Sequence, residues 1–153
     1  MSHSDADQDD YQAANLAAIG QTVDMLAPIR QQRLRLAEQA WRRQRQVLAE
    51  MHARLDRLSS ETQRLRTLHQ QRRLELLEQY RDKPMPLTEL KDSLAEEQLS
   101  LRRIERSEQA RLALQKEHDQ QSLWAEESRL EVNRRLRDVE KLDYLLDLAR
   151  EAS

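Results

Sequence analysis

Asp82-Lys83-Pro84-Met85-Pro86-Leu87-Thr88 is the strongest break in the chain after residue 29. Pro84 and Pro86 each lack an amide hydrogen, and each pushes the preceding residue out of the α region, so no helix runs through them. Thr88 is a suitable N-cap, and Glu89 is favourable in the turn that follows. On both sides the sequence is leucine-studded, charge-rich and almost free of glycine. The stretch therefore predicts a hairpin, one long helix up, a proline turn and one long helix down.

Composition points the same way. Charged residues make up 35% of the 153 residues and aromatics 3%, with one glycine and no phenylalanine. Such a chain has too little apolar bulk for a thick core but enough for a narrow seam between two helices. The expected fold class is all-α, a long antiparallel two-helix coiled-coil hairpin. Absence of cysteine excludes a disulfide framework and thiol chemistry. No apolar run approaches the roughly 20 residues that span a bilayer.

Taken in order, residues 1–10 are polar and acidic, a composition that predicts a disordered leader. Residues 11–27 carry Leu16, Ile19, Val23 and Leu26 at helical spacing, which predicts a short helical segment weakened by Gly20 and stopped or kinked at Pro28. Residues 28–83 form the first coiled-coil helix, 84–88 the turn and 89–150 the second helix. The first helix has a three-four ladder: Leu34, Ala37, Trp41, Gln44, Leu48, Met51, Leu55, Leu58, Thr62, Leu65, His69, Arg72 and Leu76. Polar members of such a ladder lower stability but discriminate between registers. About 54 residues at 1.5 Å each make a helix of roughly 80 Å. On the second helix the expected seam is Leu90, Leu94, Leu101, Ile104, Leu112, Leu123, Leu130, Leu136, Val139, Leu142 and Leu146. A turn centred near Met85 sets Leu58 near Leu112, Trp41 near Leu130, Leu34 near Leu136 and His52 beside His118.

Net charge is −2, unevenly spread. Residues 1–29 hold five acids and no base; Arg30 to Arg73 holds twelve arginines against four acids. The segment from Pro84 onward has twelve bases and sixteen acids. A basic first helix suits a more acidic antiparallel partner, although exposed pairs bias register more than they stabilise. The arginine-rich run also fits an alternative class, a helical hairpin on nucleic acid or anionic membrane. Its basic residues are interspersed with Gln and Leu rather than gathered on one stripe with aromatics, so a solvated face is the stronger reading. A third class is a generic coiled-coil scaffold that dimerises through the same seam.

Catalytic signatures are missing. There is no Gly-rich phosphate loop, G-x-S-x-G or H-E-x-x-H motif. The paired carboxylates Glu96-Glu97 and Glu126-Glu127 read as solvated helix faces. His3, His52, His69 and His118 are scattered, and the conceivable His52/His118 metal pair is the weaker reading. A two-helix rod encloses no substrate cavity. The expectation is a protein without enzymatic activity, cofactor or small-molecule substrate. The stretch Leu142-Asp143-Tyr144-Leu145-Leu146-Asp147-Leu148 is apolar around more of its circumference than one seam requires, so it reads either as plain seam or as a docking surface, with Leu145 and Leu148 off the Val139–Leu142–Leu146 line.

Three stretches carry a family resemblance: Arg30-Gln31-Gln32-Arg33-Leu34-Arg35-Leu36-Ala37-Glu38-Gln39-Ala40, Leu87-Thr88-Glu89-Leu90-Lys91, and Val139-Glu140-Lys141-Leu142-Asp143. Over residues 25–150 the chain resembles the central-stalk proteins of type III secretion and flagellar export, the FliJ/YscO/HrpO-like family, themselves similar to the γ-type stalk of rotary ATPases. The resemblance implies a non-enzymatic stalk whose terminal end docks in the hexameric secretion ATPase. Its other end would meet the export gate protein and secretion chaperones. It also implies a place at the cytoplasmic face of the inner membrane, with only peripheral membrane contact. Carried over, the ATPase-docking residues would be Ile29, Arg33, Leu36, Leu142, Leu145 and Leu148. The gate- or chaperone-binding residues would be Leu74, Leu77, Tyr80, Met85, Leu87 and Leu90.

Overall fold

The computed structural model describes residues 2–152, with side chains from Asp5 onward. Two helices account for it: α1, Ser2–Gln79, and α2, Leu87–Glu151, joined by the proline turn. They pack against each other as an all-α helical hairpin, and the described residues contain no strand.

The turn is built from backbone chemistry. The Tyr80 amide donates to the Leu76 carbonyl at 3.1 Å, and the Lys83 amide donates to the Tyr80 carbonyl at 3.2 Å. Asp82 takes the left-handed conformation, with φ 64°, which lets the chain leave the helix. Aspartate tolerates that region better than most residues. The Leu90 amide then donates to the Pro86 carbonyl at 2.9 Å, so α2 opens at Leu87. Pro86, rather than Thr88, stands at its threshold: proline lacks an amide hydrogen but keeps a carbonyl free to accept the first helical bond.

At its start α1 departs from expectation. The acidic leader is helical from Ser2, with Asp5 in the first turn, where a carboxylate favours the helix dipole; Met1 lies outside the described residues. The same helix runs through Pro28 without ending. Pro28 and Asp24 both sit on the exposed side, so solvent can meet the Asp24 carbonyl that loses its partner.

The chain divides into unit 1, Met1–Arg45 with Leu123–Ser153, and unit 2, Gln46–Ser122. In unit 1 the buried apolar residues are Val23, Ala125 and Leu142. The Arg30 guanidinium donates to the Asp138 carbonyl at 2.9 Å, and Arg45 stands 5.0 Å over the Trp41 ring. In unit 2 Leu55 and Leu114 are buried together with Thr62 and Gln121. The Thr62 and Ser107 hydroxyls meet at 2.5 Å, Thr62 also donates to the Leu58 carbonyl at 2.8 Å, and His69 Nδ1 lies 3.1 Å from Ser100 Oγ.

Burial along α1 follows the expected ladder closely. Every member from Leu34 to Leu76 is buried or half-buried except Arg72, which is exposed. On α2 the expected ladder is overturned. Leu90, Leu94, Leu101, Leu112, Leu123, Leu130 and Leu136 are all exposed. The inward column instead steps in threes and fours through Ser93, Glu97, Ser100, Ile104, Ser107, Arg111, Leu114, His118, Gln121, Ala125, Ser128, Val132 and Arg135 to Val139, Leu142 and Leu146. Ile104, Val139, Leu142 and Leu146 are the members of the expected set that do face inward.

The reason is geometric. Leu94, Leu101 and Leu136 share one seven-residue column, Leu112 lies in a second, and Leu123 and Leu130 lie in a third. No single line of α2 leucines can face one straight neighbour along the helix. The inward column, a mixture of serines, longer polar residues and a few aliphatics, keeps strict heptad spacing, as a coiled-coil seam requires. Its serines and Ala125 leave room for the bulky α1 ladder. The expected register held, since His52 and His118 do meet, but the expected inward positions of α2 were off by one or two residues, and each residue turns a helix face by about 100°.

Candidate docking surfaces

Ion pairs decorate both units and explain what the paired carboxylates do. The Arg64 guanidinium bonds Glu61 at 2.6 Å, and Arg129 bonds Glu126 at 2.6 Å. Glu108 bonds Arg111 and lies 3.0 Å from Arg66 on the facing helix. In each case the arginine hydrogen bond holds the carboxyl of Glu61, Glu108 or Glu126 below its ordinary range. Glu96 and Glu97 stand 3.6 Å from Arg72 and 3.7 Å from Arg73. These carboxylates are arginine partners on helix faces.

The expected neighbourhood of the two histidines is present. The rings of His52 and His118 lie 6.1 Å apart, tilted 43°. His118 Nδ1 is buried without a hydrogen-bond partner. Among the described residues no group of three or more His, Cys, Asp or Glu is placed to hold a metal ion.

In unit 1 the expected ATPase-docking set separates into two groups. Ile29, Leu36, Leu145 and Leu148 are exposed apolar residues and Arg33 is an exposed cation, so all five are open to a partner. Leu142 is only 4% exposed and belongs to the seam. Around the helix Leu145 is turned about 60° and Leu148 about 120° from Leu142, which takes both off the seam that buries Leu142. Tyr144 is also exposed beside this group.

In unit 2 the expected tip residues fall around a groove of about 610 Å³. Leu77, Met85 and Leu90 line it together with Leu68, Leu76 and Leu94. Leu74 and Leu87 are exposed outside it, and Tyr80 is half-buried. Arg72, Arg73, Glu75, Glu96 and Glu97 form its charged rim, mutually paired except for what they offer to solvent. Sequence reasoning assigned Leu94 and Leu101 to the seam and so missed them as surface. Their seven-residue spacing from Leu87 was the signal that could have revealed them. The groove is thus open and apolar, with a balanced ionic rim.

No helix of the described residues is long and apolar enough to cross a membrane. No family model, curated protein or solved structure matches this chain.

Proposed function

We propose that the chain is a non-catalytic stalk of a type III secretion apparatus, docking in the hexameric secretion ATPase and linking it to the export gate and to secretion chaperones. The supporting observation is the two-helix hairpin itself, which carries exposed apolar side chains beyond those its seam uses. A helical hairpin of this kind is the architecture that the resemblance to central-stalk proteins calls for. In unit 1, Ile29, Leu36, Leu145 and Leu148 supply an apolar face with Arg33 beside it, suited to a ring-shaped partner. In unit 2, the groove around Leu77, Met85 and Leu90 suits the amphipathic helices of gate or chaperone proteins.

The deciding experiment is co-purification with a hexameric secretion ATPase. Wild type is retained, and a Leu145→Asp, Leu148→Asp double variant is lost, because two carboxylates desolvated against an apolar partner are strongly unfavourable. Leu142→Asp is no substitute, since it would damage the seam. Equal retention of the double variant and wild type removes the assigned docking face. No retention of either removes the stalk reading.

A further inference from the structure

We propose that His52 and His118 hold a zinc-type divalent transition-metal ion between α1 and α2 of unit 2, with the Asp56 carboxylate as a third ligand and water as the fourth. The proposal stands apart from the stalk reading, since it needs neither the ATPase nor the export gate. Both histidines lie in unit 2 and come from different helices. Their ring centres are 6.1 Å apart, with the rings tilted by 43° rather than stacked. With zinc–nitrogen bonds of about 2.0–2.1 Å, two imidazoles on one tetrahedral ion hold their ring centres roughly 5 Å apart. Side-chain rotation closes the remaining gap of about 1 Å, because the His52 side chain is 69% exposed.

Two further observations point to a ligand. His118 Nδ1 is buried and has no hydrogen-bond partner. A polar nitrogen shut away from water without a partner is costly, and a bound cation supplies the missing partner. Asp119 Oδ1 lies 3.5 Å from that nitrogen without making a hydrogen bond to it. Asp56 Oδ2 lies 3.8 Å from His52 Nε2, one turn further along α1. Ligand atoms on a tetrahedral zinc ion stand about 3.3–3.4 Å apart, so each carboxylate is already near the spacing that two ligands of one ion keep. The three proposed ligands do not yet converge on one point. Asp56, with a side chain 73% exposed, completes the set by rotating.

The donor set selects the ion. Imidazole suits zinc and its neighbours in the transition series, whereas magnesium and calcium require sets of oxygens. The carboxylates of Asp56 and Asp119 offset the two positive charges that arrive. With no cysteine in the chain, no thiolate competes. His69, the other histidine of the seam, is engaged elsewhere, 3.1 Å from Ser100 Oγ and 4.0 Å from Glu97. An ion at this height serves a structural need. Gln121, one turn on from His118, is a buried polar residue, so apolar burial is thin there. An ion that joins the two helices binds the folded hairpin and not the unfolded chain, and therefore stabilises it by mass action.

The test uses the full chain, free of any affinity tag, by titration calorimetry with Zn²⁺ and by thermal unfolding. Wild type binds Zn²⁺ with a Kd below about 10 µM. At about hundredfold excess over Kd its unfolding midpoint rises by roughly 5 °C. Mg²⁺ does neither. His52→Gln keeps its far-UV circular dichroism, because the position is exposed, yet binds at least about tenfold more weakly and loses the midpoint rise. His118→Gln loses both as well, and Asp56→Asn binds more weakly than wild type. His69→Gln matches wild type. A wild type that takes up no Zn²⁺ at about 100 µM overturns the proposal. Binding that His52→Gln leaves unchanged, or that moves no unfolding midpoint, overturns it too, since such an ion does not join the helices.

Discussion

At the scale of single residues, two positions carry measurable consequences. Glu108 is held below its ordinary pKa by the Arg111 hydrogen bond, with the Arg111 and Arg66 charges acting in the same direction. A carboxylate whose folded pKa is depressed adds stability that is present above its unfolded pKa, about 4.3. That stability is lost as pH falls through the folded value. Below about pH 4, wild type therefore loses urea resistance that a Glu108→Gln variant never had, and the two stability curves converge in acid. Glu61 and Glu126 add the same sign of dependence through Arg64 and Arg129. Asp82, at φ 64°, tests the turn. Asp82→Gly is neutral or stabilising, whereas Asp82→Val destabilises by about 1–2 kcal/mol in thermal unfolding, because a β-branched side chain resists the left-handed region. The proline pair announced a turn in the sequence. The residue that makes the reversal was not legible, because aspartate occurs in many conformations and only the assembled backbone selects one.

At the scale of elements, α1 was largely readable and α2 was not. Its ladder from Leu34 to Leu76 keeps one heptad phase, so apolar identity and inward direction coincide. On α2 they diverge. Leu112 is 56% exposed while Leu114, two residues on, is 7% exposed. Leu114→Ala is therefore expected to lower the stability of unfolding by about 2–3 kcal/mol, through lost burial and a cavity. Leu112→Ala should stay within about 0.5 kcal/mol, since it removes a surface side chain and alanine favours helix. Urea melts of the two variants decide which face of α2 is the seam; equal losses would restore the leucine ladder. The candidate docking sets follow the same divide. Leu145 and Leu148, which lie off the Val139–Leu142–Leu146 line, are exposed, whereas Leu142, on that line and added to the docking set only by the resemblance, is buried.

At the scale of the whole molecule, the hairpin makes a prediction about connectivity. The Thr62 and Ser107 hydroxyls are 2.5 Å apart across the two helices of unit 2. A Thr62→Cys, Ser107→Cys variant is expected to form a disulfide within one chain, seen as faster migration at monomer mass on non-reducing gels. Linkage only between chains would mean that the helices pair with those of another molecule. A Trp41→Cys, Leu130→Cys pair, which the sequence suggested would face each other, is expected to stay reduced, because Leu130 looks outward. By itself the sequence determined the helical class, the place of the reversal and the inward line of α1, because proline geometry and heptad spacing are local properties of the chain. Which face of α2 turns inward was decided only when the two helices met. Leucines scattered over three columns cannot all face one neighbour, and the mixed polar and aliphatic column that keeps strict heptad spacing against α1 prevailed. That choice left Leu87, Leu94 and Leu101 on the surface.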